Sequence, residues 1–194
     1  MLELQNTTRS NGEKVNYLVI NAIGRDRPGI SHQLFKLISH IGCNIIDSKI
    51  SLFGEEFTLM MFISGSTVQV TQAETQLSRF CAENQLLSTM KRTELPTKTK
   101  PTYRLEANIE CSDRRGIVET FTEFYASKNI DIDSMTAKTI NIAATDNQSE
   151  KRFQISGVAH VDDTVNLMQL QEDFDQMCSE HNIQGTLDFI NTVS

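Results

Sequence analysis

With 194 residues, 39% of them hydrophobic, the chain has material for one or two small domains, and its net charge of −7 argues against a protein that grips nucleic acid unaided. The surplus acid lies in the second half: residues 1 to 95 hold nine Lys/Arg against nine Asp/Glu, and residues 96 to 194 hold nine against sixteen. Basic residues come as scattered pairs such as Lys91-Arg92, the first 16 residues are polar and unlike a signal peptide, and the longest apolar run, around 57–63, is too short to span a bilayer, so a soluble cytoplasmic chain is expected.

The alternation and β-branched content of 17–25 predict a strand. A helix is expected over 29–41, with Ile30, Leu34, Leu37 and Ile38 on one face and Gly42 as its C-cap. Strands over 44–53 and 56–64 follow, separated by the tight turn Phe53-Gly54-Glu55-Glu56. A helix over 68–83 and a strand over 86–93 complete a βαββαβ unit, assigned to residues 15–94. The Thr- and Lys-rich stretch 95–102 has no apolar periodicity and reads as a linker.

The same order then recurs over 103–192. Strands are predicted over 103–111, 130–140, 152–161 and 184–191, with helices over 116–128 and 165–181. The repetition is visible in the residues: Asp26-Arg27-Pro28-Gly29-Ile30 returns as Asp113-Arg114-Arg115-Gly116-Ile117, 87 positions later. Downstream, Val70, Ala73, Leu77, Phe80 and Cys81 match Leu167, Leu170, Phe174, Met177 and Cys178 at a spacing of 97, which places an insertion of ten residues between the two helices. The polar stretch 141–151 is where the sequence accommodates it, read as a long hairpin loop. The fold class expected is α+β: two ferredoxin-like βαββαβ domains in tandem, each an antiparallel four-stranded sheet with both helices on one face.

The element able to carry chemistry is the corner between first strand and first helix. A helix beginning at Gly29 or Gly116 leaves its first backbone N–H groups without intrahelical partners, a setting that attracts a carboxylate. Asp26 or Asp113 stands close enough in sequence to accept from an ammonium group. An α-amino acid carries both groups. The alternative is that the two aspartates cap their helices and the glycines only make turns. Asn44 and Asn129, each followed by Ile, are expected to open the next strand and to face the same corner, or to serve as turn residues.

Other chemistry is not signalled. Cys43, Cys81, Cys111 and Cys178 have no CxxC or zinc spacing and read as buried thiols of a reducing compartment. His32 and His40 lie eight apart on the first helix, a spacing with no simple metal geometry, and His160 and His181 have no carboxylate or Cys at ligand spacing. No nucleophile–base set, phosphate-binding loop, metal site or cofactor motif is found, so an enzyme is not expected.

The runs Gly24-Arg25-Asp26-Arg27-Pro28-Gly29-Ile30 and Gly42-Cys43-Asn44-Ile45 resemble the signature of the ACT domain, an amino-acid-binding regulatory module of βαββαβ fold. Together with Gly54-Glu55-Glu56-Phe57-Thr58 continuing through Ser64-Gly65-Ser66, Met90-Lys91-Arg92-Thr93 and the tandem arrangement, they look like the glycine cleavage system transcriptional repressor family. The resemblance implies ligand contacts from Asp26, Gly29, Ile30 and Asn44 in the first copy and from Asp113, Gly116, Ile117 and Asn129 in the second, with amino acids bound where ACT modules meet. It further implies repression through contact with a LysR-type transcriptional activator rather than DNA, relieved by glycine. No membrane partner is implied, and since tandem modules often pair, a homo-oligomer is compatible with it. An ACT-type regulatory subunit of a metabolic enzyme is the alternative. The second copy departs from the signature, with Arg115 in place of the proline and an acidic run Asn129-Ile130-Asp131-Ile132-Asp133.

Overall fold

The computed structural model describes residues 15–95, 102–143 and 149–192, and the backbone divides between residues 97 and 98 into two compact units. Most of the expected linker lies outside the described residues.

In the first unit β1 (Asn16–Arg25) leads into α1 (Ile30–Ile41), followed by β2 (Asn44–Phe53), β3 (Glu56–Gly65), α2 (Thr67–Glu83) and β4 (Leu87–Thr93). The sheet order is β2-β3-β1-β4, every pairing antiparallel. Burial alternates along β1 and β3, so Leu18, Ile20 and Ala22 share one face with Phe57, Leu59, Met61 and Ile63. That face meets Ile30, Leu34 and Ile38 of α1 and Val70, Ala73, Leu77 and Cys81 of α2 in one core. The apolar periodicity of each helix therefore does what the sequence suggests, except that Leu37 and Phe80 sit at the rim of the core.

The second unit repeats the plan: β5 (Tyr103–Ser112), α3 (Ile117–Ser127), β6 (Ile132–Ala143), β7 (Ser149–Val161), α4 (Leu167–Glu180) and β8 (Gln184–Asn191), with sheet order β6-β7-β5-β8. Its core is more aromatic. Phe121, Phe124 and Tyr125 pack together and Phe124 meets Phe174 edge-on, with ring centroids 5.5 Å apart. Both units are thus ferredoxin-like, and all four cysteines are buried with no disulfide among them.

The insertion lies where expected but takes another form. β6 and β7 continue pairing past Ile140 and Arg152 through Asn141–Lys151, Ile142–Glu150 and Ala143–Ser149, so most of the polar stretch is strand rather than loop. Polar composition misled the reading because the hydrogen bonds that pair two strands are made by the backbone and do not require apolar side chains. Residues 144–148 lie outside the described residues. One further residue enters between β7 and α4, which moves the start of the helix.

The candidate ligand corners

In both units the first helix starts from a glycine in the left-handed region: Gly29 has φ 88° and Gly116 φ 89°. Nothing lies within 4 Å of a Cβ built on either, so it is the backbone, not crowding, that calls for glycine there. Gly29 and Gly116 are the N-caps, and neither helix has a side-chain cap hydrogen bond. Asp26 and Asp113 therefore do not cap their helices, and the capping alternative is not what the structure shows.

The first helical hydrogen bonds run from Gln33 N–H to the Gly29 carbonyl, 3.0 Å, and from Thr120 N–H to the Gly116 carbonyl, 2.9 Å. In the first corner Ile30 N–H closes a turn on the Arg27 carbonyl at 3.3 Å, so the amides of Ser31 and His32 are the ones left without an intrahelical acceptor. Residues 25–29 and 112–116 are exposed. Ile30 and Ile117 are each 2% exposed and belong to the cores, which leaves only their main chains to the corner.

Each corner is braced from two sides. Asp26 N–H donates to the Glu55 carbonyl at 3.1 Å, which ties the corner to the β2–β3 turn, while the Arg27 guanidinium reaches the Asn84 side chain at the end of α2. In the second unit Arg114 donates to the His181 carbonyl at the end of α4, and Thr139 Oγ1 donates to Asp113 Oδ2 at 3.3 Å. The copies differ in charge at the helix start. The first turn of α3 holds Glu119, whereas that of α1 has no acid. A carboxylate ligand at the second corner would compete with a resident carboxylate, and at the first it would not.

The asparagines are not brought to these corners within their own units. Asn44 opens β2 beyond the far end of α1, and a 12-residue helix is about 18 Å long. Register agrees: Asn44 pairs with Ser64, which pairs with Tyr17 at the start of β1, while the corner follows Arg25 at its end.

Asn129 is not the counterpart of Asn44 at all. Its φ of 54° and its N–H to the Ala126 carbonyl match Gly42, with φ 83° and N–H to the Ser39 carbonyl, so Asn129 terminates α3 in the left-handed conformation. The β6 bulge between Ile132 and Ser134 matches the β2 bulge between Ile45 and Asp47 at the same spacing of 87, which makes Asp131 the equivalent of Asn44.

One constellation was missed by the sequence reading. His160 Nδ1 meets the Asp133 carboxylate across the β6–β7 pair, although the two are far apart in the chain. No local signal in the sequence marks it: the bulge between Ile132 and Ser134 turns Asp133 out of the regular alternation, and strand register sets it beside His160. The pair lines an open cleft of about 600 Å³ that includes Asn129 and Asp131 but not Asp113, Gly116 or Ile117. Among the described residues no group of His, Cys, Asp and Glu is arranged to hold a metal ion, and no helix is long and apolar enough to cross a membrane.

Comparison with known proteins sets this geometry in context. The ACT-domain family model matches residues 16–91, the first unit with its exposed corner. A glycine cleavage system transcriptional repressor from Escherichia coli (strain K12) is 31% identical over 176 residues, covering 91% of each chain. The chain belongs to the glycine cleavage system transcriptional repressor family. A crystal structure assigned provisionally to another such repressor is 42% identical, with TM-score 0.68 and coverage of 92% of this chain and 99% of that one. A protein of unknown function from Galdieria sulphuraria shares the tandem fold at TM-score 0.71 and 18% identity, over 91% of this chain and 99% of that chain. The family relationship thus spans both units and not just one corner, and the relatives that establish it are named as repressors of transcription rather than as catalysts.

Proposed function

We propose that the chain is an amino-acid-responsive repressor of glycine cleavage gene expression, acting by contact with a LysR-type transcriptional activator and released by glycine. The observation that carries the reading is the exposed first corner: Asp26 beside a helix start whose Ser31 and His32 amides have no intrahelical acceptor, with no side-chain cap in the way. The ligand carboxylate would take the amides and its ammonium the Asp26 carboxylate. Glycine suits a site built from main chain because it has both groups and no side chain to place.

The first corner is the preferred one. It lies in the unit matched by the ACT family model, and its helix start has no acid of its own. Repression without DNA contact is consistent with a net charge of −7 and with basic residues too scattered to neutralise a run of phosphates. Regulation then follows from a population shift, in which glycine favours one conformation and the activator the other. Reciprocity requires the activator to weaken glycine binding by the same factor that glycine weakens the activator, typically about 1 to 3 kcal/mol.

The test is co-purification with the LysR-type activator of the glycine cleavage operon, in the absence and presence of glycine. Capture that glycine diminishes supports the reading. Absence of capture at any glycine concentration, or direct high-affinity binding of the chain to operator DNA, contradicts it.

A further inference from the structure

The two units part company where the third strand meets the second helix, and in the second unit a cleft lies at that junction. In the first unit β3 passes directly into Ser66, the cap of α2, and Gln69 completes a capping box by accepting from Ser66 N–H at 2.9 Å. The Gln69 amide also donates to the Gly42 carbonyl at 2.9 Å, and its side chain lies against Gly65 beside the Cys43 thiol. Gln69 therefore stoppers the gap between the α1–β2 and β3–α2 turns.

In the second unit the residue 97 positions on is Asn166, and it has a different task. Asn166 is the cap of α4, accepting from Gln169 N–H at 3.2 Å, and the Gln169 side chain turns along its own helix to Asp173. Residues 162–166 form a loop in place of the first turn of the helix, held by Thr164 N–H donating to Asp162 at 3.0 Å. With the stopper gone, the space between the turns is the cleft of about 600 Å³, within the size range of small-molecule pockets.

Its lining is specific in chemistry. Ile130 and Val161, both buried, and Val165 supply its apolar side. Around them stand Asp131, the Asp133–His160 pair and Asp162, while the Lys128 ammonium is engaged by Asp173. The cleft therefore joins an apolar wall to a carboxylate-rich rim with its lysine already paired.

The geometry points to a second ligand site in this cleft, taking a small molecule with a short alkyl chain that ends in a primary ammonium, such as a diamine or the side chain of a basic amino acid. The methylenes would lie on Ile130, Val161 and Val165, and the ammonium would face Asp131 and Asp162. This site is independent of the corners, since the cleft includes none of Asp113, Gly116 and Ile117.

The experiment is calorimetric titration of the full chain with putrescine and with L-lysine, using butan-1-ol as the uncharged comparator, and with amide chemical shifts followed alongside. Saturable putrescine binding is expected, with shifts confined to residues 128–133 and 160–166. Asp131→Asn should weaken it by about tenfold or more through loss of a charge-assisted contact. Val165→Phe, which fills the cleft and leaves every charge in place, should abolish it. Asp26→Asn should leave it unchanged, so the outcome is separable from the fate of the glycine reading. Absence of saturable binding, equal affinity for butan-1-ol, or undiminished binding in both cleft variants overturns the assignment.

Discussion

The Arg27 guanidinium donates to the side-chain oxygen of Asn84, 57 positions further along the chain, and so fastens the first corner to the C-terminal end of α2. Arg114 does the same in the second unit by reaching the His181 carbonyl, the position that closes α4. The arginine of the repeated Asp-Arg-x-Gly element thus has a structural task, holding the corner, that is separate from the proposed ligand contacts of Asp26 and the amides.

Arg27→Ala should therefore cost little global stability, below about 1 kcal/mol for an exposed contact, while loosening the corner. Hydrogen exchange at the amides of Gly29 to His32 should quicken. Asn84→Ala, which also removes the bond from its amide to the Phe80 carbonyl, should have the same effect at the corner, and the double variant should quicken exchange there no further, because both changes remove the Arg27–Asn84 contact. Additive effects in a double-mutant cycle would show that the two residues act separately.

Gly29→Ala and Gly116→Ala should each destabilise their unit by about 1 to 2 kcal/mol, the cost of holding an L-residue in the left-handed region. Asn at either position should cost less, as Asn129 adopts φ 54° in the same chain. Chemical denaturation checks both. These glycines are consequently poor probes of ligand binding, because a substitution there disturbs folding as well. Asp26→Asn, which changes charge but not shape at an exposed site, is the cleaner probe.

Glycines buried against the cores should behave differently. A Cβ at Gly157 would stand 2.8 Å from the Phe121 ring, and one at Gly185 2.8 Å from the Cys178 sulfur. Substitution to Ala at either should cost about 1 to 3 kcal/mol by overpacking. Phe121→Leu should recover part of the loss in the Gly157→Ala background but none in the Gly185→Ala background. Equal recovery in both would refute the steric cause.

Burial raises the Tyr125 hydroxyl to about 12, above its ordinary value near 10. The unfolded chain therefore releases this proton first, and the contribution to stability is present below pH 10 and lost between about pH 10 and 12, at up to about 1.4 kcal/mol per pH unit. Tyr125→Phe should remove that part of the alkaline slope. It should leave stability at neutral pH unchanged or higher, because the buried hydroxyl has no hydrogen-bond partner. An unaltered alkaline slope measured by urea titration at several pH values would argue against it.

How much of this was legible beforehand depends on whether a signal was local. The 87-residue spacing and the i, i+4, i+7, i+8 faces from Ile30 and Ile117 located α1 and α3 to within a residue or so at each end, because periodicity and glycine punctuation are properties of short segments. The corners were legible for the same reason. Asn129 was misplaced because matching asparagine to asparagine ignores backbone: Asn tolerates the left-handed conformation and had replaced Gly42, while the position of Asn44 passed to Asp131. The opposite-end placement of Asn44 and Asp26 follows from helix length alone and could have been deduced. The Asp133–His160 pair and the cleft could not, since they arise from strand register, a bulge and a three-dimensional gap left by the changed start of α4.

The most direct test is calorimetric titration of glycine into the full-length chain, compared with its Asp26→Asn and Asp113→Asn variants. Saturable binding that Asp26→Asn abolishes and Asp113→Asn largely spares is the predicted result, accompanied by a melting temperature that rises with glycine in the parent chain alone. Absence of heat and of any thermal shift, or glycine affinity that survives both substitutions, would contradict the assignment of the corner as the amino-acid sensor.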